Sequence, residues 1–179
     1  MHVKAIEKAM GDKARFILDP NPTDKFGFNM LKPGPFQDVR VRKAISIAIN
    51  RQEAQAVFSP GDPPGGLFIP GGPFINPDIM TWPGYNPATT DKDLAEAKRL
   101  LAEAGFSNGF KAKWLARPDW LERAEFIAGQ LKKIGIQVDI ESVDAITHTD
   151  RQCAGQYEFG MFDTGNERYS VPETAPSFI

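Results

Sequence analysis

The sequence predicts an α/β fold, a mixed and largely parallel sheet flanked by helices, and three observations carry that expectation. From residue 110 onward, runs of strand composition alternate with helical periods: 110–115, a helix over 119–134, 136–143, a weaker helix over 145–154, and 157–162. Strands separated by single helices need crossover connections, and crossovers within one sheet leave the strands parallel. Two earlier helical periods each carry a single apolar stripe, which is the pattern of helices covering one face of a core. The 179 residues, 41% hydrophobic and 25% charged, are enough for one domain with a sizeable interior.

The elements follow in chain order. Residues 3–10 place Val3, Ile6, Ala9 and Met10 on one face and end at Gly11, the pattern of a last helical turn closed by a left-handed glycine. Residues 14–18 and 25–31 are β-branched and aromatic runs on either side of the turn cluster Asp19-Pro20-Asn21-Pro22, and both read as strands. In the stretch 35–51, Val41, Ala44, Ile45, Ala48 and Ile49 recur at the spacing of one helical stripe. Asp38 is placed to accept the unpaired N–H groups of the first turn, and its charge sits at the positive end of the helix dipole. Asn50, with Glu53 three positions on, could form a capping box for a short helix reaching Phe58.

Residues 59–87 change character. Pro60, Pro63, Pro64, Pro70, Pro73, Pro77, Pro83 and Pro87, interleaved with glycines, exclude a regular element of useful length. Phe68, Phe74, Trp82 and Tyr85 within this loop argue that it packs against something, either as a surface connector anchored by aromatics or as a wall of a ligand cleft. The glycines do not make a phosphate loop, because no Gly-Lys-Ser/Thr follows them. Thr90-Asp91-Lys92-Asp93 reads as the cap of a helix striped by Leu94, Ala97, Leu101 and Ala104 and ended by Gly105, with Phe106 just beyond. The helix over 119–134 is expected to bury Trp120, Ala124, Ile127, Leu131 and Ile134, and to stop at Gly135.

Composition narrows the function classes. With 21 basic against 23 acidic side chains and a net charge of -2, no field is present to hold a nucleic acid. No apolar run reaches the roughly 20 residues that span a bilayer, and the first residues lack the pattern of a secretion signal, which by itself favours the cytoplasm. Cys153 cannot form an internal disulfide and reads as a small buried hydrophobe. His148 has no Cys or His at metal-ligand spacing, and its neighbours Asp144 and Asp150 read as a cap and a solvated group, so no metal and no cofactor is expected. No nucleophile motif accompanies the two histidines, His2 and His148, and catalytic residues are expected to be none. The triplet Asp163-Thr164-Gly165 after an apolar strand spells the aspartic-protease active site, but that chemistry needs a second carboxylate from a second triplet or a dimer.

Two strings are more specific than any periodicity. Pro35-Phe36-Gln37-Asp38-Val39-Arg40-Val41-Arg42-Lys43-Ala44-Ile45-Ser46-Ile47-Ala48-Ile49-Asn50-Arg51 resembles the signature of the family 5 extracytoplasmic solute-binding proteins, the receptors of ABC importers for dipeptides, oligopeptides, nickel chelates and some sugars. Ala95-Glu96-Ala97-Lys98-Arg99-Leu100-Leu101-Ala102-Glu103-Ala104-Gly105-Phe106, followed by Asn108-Gly109-Phe110, is a second match at the expected distance, and the similarity extends from Asn29 to Phe162. The resemblance implies one periplasmic-binding-protein-like lobe of a two-lobe receptor. A missing N-terminal lobe would complete the cleft, and ABC permease subunits would be partners. The location would be periplasmic or extracytoplasmic and membrane-anchored, with the secretion signal outside this sequence.

Open α/β sheets bind ligands beyond the carboxyl ends of their strands, which directs attention to the residues after Phe162. In peptide-binding members of the family this position holds Gly-Trp-x-x-Asp, whose Trp packs on the ligand and whose Asp pairs with a ligand amine. Here Thr164 replaces the Trp, Glu167 falls on the Asp, and Arg168 adds a group suited to a carboxylate or to sugar hydroxyls. The ligand-binding set expected is therefore Asp163, Glu167 and Arg168, with Trp82 and Tyr85 from the loop; the competing reading makes 163–168 an ion-paired hinge. Loss of the Trp platform leaves peptide, chelate and saccharide solutes all open. A free-standing interaction domain that uses 59–87 as its contact surface is the other class of function these residues allow.

Overall fold

The computed structural model describes residues 26–60, 76 and 78–161. Its strands are β1 (Phe26–Phe28), β2 (Phe110–Ala116), β3 (Ile136–Ser142) and β4 (Phe159–Met161), joined in one sheet in the order β1-β4-β2-β3. β2 pairs in parallel with both β3 and β4, as single-helix crossovers require, while β1 closes the edge antiparallel to β4. The helices are α1 (Val39–Ala48), α2 (Arg51–Phe58), α3 (Thr90–Glu103), α4 (Leu121–Lys132) and α5 (Ala145–Cys153). The expected mixed, largely parallel sheet flanked by helices is the architecture found.

The stripe on α1 is the centre of the core. Val41, Ala44 and Ile45 are fully buried and Ala48 and Ile49 nearly so, packed among Ala97 and Leu101 of α3, Leu131 of α4 and the strand residues Trp114, Ile136 and Phe159. Each branched side chain buried in this way contributes about 1.5–3 kcal/mol. Phe36, in the 3-10 turn Pro35–Gln37 ahead of α1, lies 5.1 Å from both the Phe28 and the Phe159 rings and 5.9 Å from Phe110. It pins the start of α1 to β1, β2 and β4.

Local chemistry sets the boundaries. Asp38 caps α1 by accepting from the Arg40 amide at 2.8 Å, and Asn50 caps α2 by accepting from the Glu53 amide at 3.1 Å. The reciprocal half of that capping box is not made among the described contacts, because the Glu53 carboxylate accepts instead from Gln130 Nε2 at 2.9 Å, tying α2 to α4. The strand expected over 25–31 is regular only to Phe28. Asn29 still donates its backbone N–H to the Glu158 carbonyl at 2.8 Å, but its side chain turns the chain away: its Nδ2 donates to the Gly155 and Tyr157 carbonyls at 2.8 and 3.0 Å, and its Oδ1 accepts from the Leu31 amide. The cap of α3 is Thr89, one residue earlier than expected, and Asp93 is drawn inward to a buried position.

Gly105 ends α3 in the left-handed region, with Phe106 N–H reaching back to the Leu101 carbonyl at 2.8 Å. The turns entering β2 and β3 touch each other so closely that a Cβ on Gly109 would stand 1.9 Å from the Gly135 carbonyl oxygen, so only glycine fits there. Cys153 corrects the sequence expectation. It is exposed at the end of α5, since the buried face of that helix is taken by His148. The expected elements over 3–10 and 14–18, and the stretch from 162 onward, lie outside the described residues.

Candidate functional site

Because β2, β3 and β4 are parallel, their carboxyl ends share one edge of the sheet. At that edge the chain leaves β2 at Ala116, whose carbonyl accepts from the Val143 amide at 3.0 Å and so holds the exit of β2 against the exit of β3. Arg117 comes next, then Pro118, which cannot continue the ladder and opens the 3-10 turn Pro118–Trp120 into α4. The Arg117 guanidinium lies 3.8 Å from the centre of the Trp120 ring, and it donates to the Asp119 carboxylate through Nε at 3.0 Å and Nη2 at 2.6 Å. Trp120 meets the His148 ring edge to face at 5.4 Å. His148 is 3% exposed, brought in from α5, whose start is fixed by Asp144 accepting from the Ile146 and Thr147 amides.

The electrostatics follow from this geometry. The hydrogen bond from Arg117 holds the Asp119 carboxyl below its ordinary range. Burial pushes the His148 imidazole down, and the nearby Arg117 charge pushes the same way; a hydrogen bond at the Leu115 backbone and the Asp119 charge oppose them without prevailing. The edge thus carries a neutral buried imidazole, an indole, and an arginine–carboxylate pair whose Arg117 side is one-fifth exposed. Such a set can bind and orient an anion or a polar solute. Among the described residues no three His, Cys, Asp or Glu side chains gather as a metal site.

The residues expected from the sequence are distributed as follows. Trp82 follows the 3-10 turn Ile79–Thr81 and keeps 46% of its surface exposed. Tyr85, half-buried, stacks under Arg51 at 4.4 Å. Arg51 donates through Nη1 to the Ser46 carbonyl at 2.7 Å and through Nη2 to Ser46 Oγ at 3.0 Å, at the negative end of α1. Gly84 locks the loop in place. Its carbonyl accepts from the Arg51 amide at 3.1 Å, and its N–H donates to the buried Asp93 carboxylate at 2.8 Å. Asp163, Glu167 and Arg168 lie outside the described residues, as does the Asp163-Thr164-Gly165 triplet.

Arg117, Trp120 and His148 were not in the expected ligand-binding set. The available signal was the dipeptide Arg117-Pro118 directly after an alternating strand: a proline there marks the carboxyl end of that strand.

Residues 3–178 match the family described as bacterial extracellular solute-binding proteins, family 5 Middle. Among characterised relatives, the chain is 29% identical over 168 residues to the probable deoxycholate-binding periplasmic protein YgiS of Escherichia coli, covering 87% of this chain and 29% of that protein. It is 33% identical over 163 residues to the glutathione-binding protein GsiB of Salmonella choleraesuis, covering 88% and 30%. Among solved structures, the periplasmic binding protein DppA of Helicobacter pylori in complex with the peptide STSA superposes with a TM-score of 0.66 at 28% identity, covering 84% of this chain and 28% of that one. The chain spans just under a third of the length of these relatives. The match to a solute-binding family lends no support to an aspartic-protease-like function.

Proposed function

The chain belongs to the bacterial extracellular solute-binding proteins of family 5, and from that premise we propose that it forms one lobe of a two-lobe clamp that captures a small solute outside the cytoplasm and delivers it to an ABC permease. The action is closure and capture, without bond-making. The single observation that carries this reading is the carboxyl edge of the sheet, where Arg117 and Trp120 from the turn leaving β2 meet His148 from α5 beside the exit of β4. The remaining wall of the cleft would come from the part of the protein that the relatives have beyond this third of their length.

The chemistry of the edge favours a solute that bears a carboxylate. Deoxycholate, glutathione and a peptide, the solutes named for the relatives, differ in size and polarity but all carry that group. A guanidinium already held flat by an indole would suit it, the solute carboxylate taking the place of Asp119 on the Nε and Nη2 donors. Glu167 would accept an amine on the same solute, and Asp163 and Arg168 would flank it. From the loop, Trp82 would offer the more open ring, and Tyr85 one already stacked on Arg51.

The test is a thermal-shift screen of the gene's full product against peptides, glutathione, bile acids, metal chelates and saccharides. At least one carboxylate-bearing class is expected to raise the midpoint, and Arg117→Met to cancel the rise while leaving the unliganded midpoint in place. This chain alone should bind the same solute weakly. Tight stoichiometric binding to the chain alone, or solute binding indifferent to Arg117, would overturn the proposal.

A further inference from the structure

His148 is one of four buried polar or charged side chains among the described residues. Its ring abuts the Trp120 ring at 5.4 Å, and that same indole carries the Arg117 guanidinium at 3.8 Å. Among the described residues, the groups facing His148 are Arg117 and Asp119 from the turn before α4, Arg151 on its own helix, and the Leu115 backbone of β2. Two of the three charged groups are cations. A proton added to His148 would therefore place a new positive charge, cut off from water, beside Arg117 and Arg151, whose described carboxylate partners, Asp119 and Glu141, are each already bonded to those arginines.

We propose that His148 is a positioning residue for the carboxyl edge, holding Arg117 in its bound orientation through Trp120, and that taking up a proton drives this stack apart. Acid would then loosen the group that grips the solute. Burial of the imidazole, together with the nearby Arg117 charge, supports the direction, because both disfavour the protonated form in the folded chain. The inference rests on the reading of Arg117 as a solute-binding group, but the structural half of it can be tested without any solute.

The experiment is a nuclear magnetic resonance titration of the chain between about pH 5 and 8, following the His148 ring, the Trp120 indole N–H and the Arg117 Nε–H. Trp120→Phe and Arg117→Lys assign the last two signals. All three are expected to move together with one midpoint below the ordinary histidine value. His148→Gln should abolish the step at Trp120 and Arg117, and His148→Phe should do the same while keeping an aromatic ring against the indole, so one folded variant suffices. His2→Gln is expected to leave the step in place. Signals of Trp120 and Arg117 that ignore His148, or that still titrate in both His148 variants, would overturn the inference. Should the three signals titrate together while Arg117→Met leaves solute binding intact, the function proposed above fails and the coupling stands.

Discussion

Among the described residues three arginines lie over aromatic rings, and comparing the two closest separates framework from site. Arg51 lies 4.4 Å from the Tyr85 ring and spends its donors on the Ser46 carbonyl and hydroxyl at the end of α1, where burial lowers the affinity of the guanidinium for its proton. Arg117 lies 3.8 Å from the Trp120 ring, pairs with the exposed Asp119 carboxylate, and stands at the carboxyl edge of the sheet. The residue types are nearly the same. Among the described contacts, what differs is the partner: backbone carbonyls at the end of α1 in the first case, and the exposed Asp119 carboxylate in the second. Arginine on an aromatic is therefore no sign of a binding site until its hydrogen-bond acceptors are known.

The comparison can be broken by substitution, and the largest effect is expected at Gly84. A Cβ there would stand 2.6 Å from Arg51 Nη1 and 3.0 Å from the Ser46 carbonyl oxygen, in a left-handed backbone with φ of 78°. Gly84→Ala should cost about 2–3 kcal/mol in a urea titration. Next, Arg51→Met should cost about 1–2 kcal/mol, because the carbonyls at the end of α1 lose their donor, whereas Arg117→Met should stay within about 0.5 kcal/mol of the parent chain. Equal losses for the two arginines would erase the distinction.

Smaller effects sharpen it through pH. His148 takes up its proton less readily when folded than when unfolded, so its contribution to stability is full above the unfolded histidine value and is lost as pH falls through the lower folded value. The urea midpoint should therefore drop on mild acidification, and His148→Phe should flatten that drop. Last, Asp119 is held low first of all by its hydrogen bond with Arg117. Arg117→Met should move the Asp119 carboxyl resonance midpoint upward, while Arg51→Met should leave it where it is.

Much of the framework was legible in the residues. The stripe from Val41 to Ile49, the caps at Asp38 and Asn50, and Gly105 closing α3 are local signals, each decided within a turn or two of helix, and each is found in place. Asp93 was misread as part of a cap because its actual donors, Gly84 N–H and Thr89 Oγ1, come from a loop whose path no periodicity encodes. Cys153 was misplaced for a related reason: a short amphipathic helix has one buried face, and His148 occupied it. Arg117, Trp120 and His148 escaped notice because their proximity depends on two crossovers, which bring α5 back against the exit of β2. A constellation assembled across 31 positions leaves no mark at any fixed spacing.

The most direct measurement is a calorimetric double-mutant cycle on the gene's full product, with Arg117→Met on the protein side and, on the other, a solute found by the screen compared with its carboxamide. The account predicts that either change weakens binding by about tenfold or more, near 1.4 kcal/mol, and that the second change costs little once the first is made. Two losses that simply add would mean that the carboxylate and Arg117 never meet, and the carboxyl edge would not be where the solute is held.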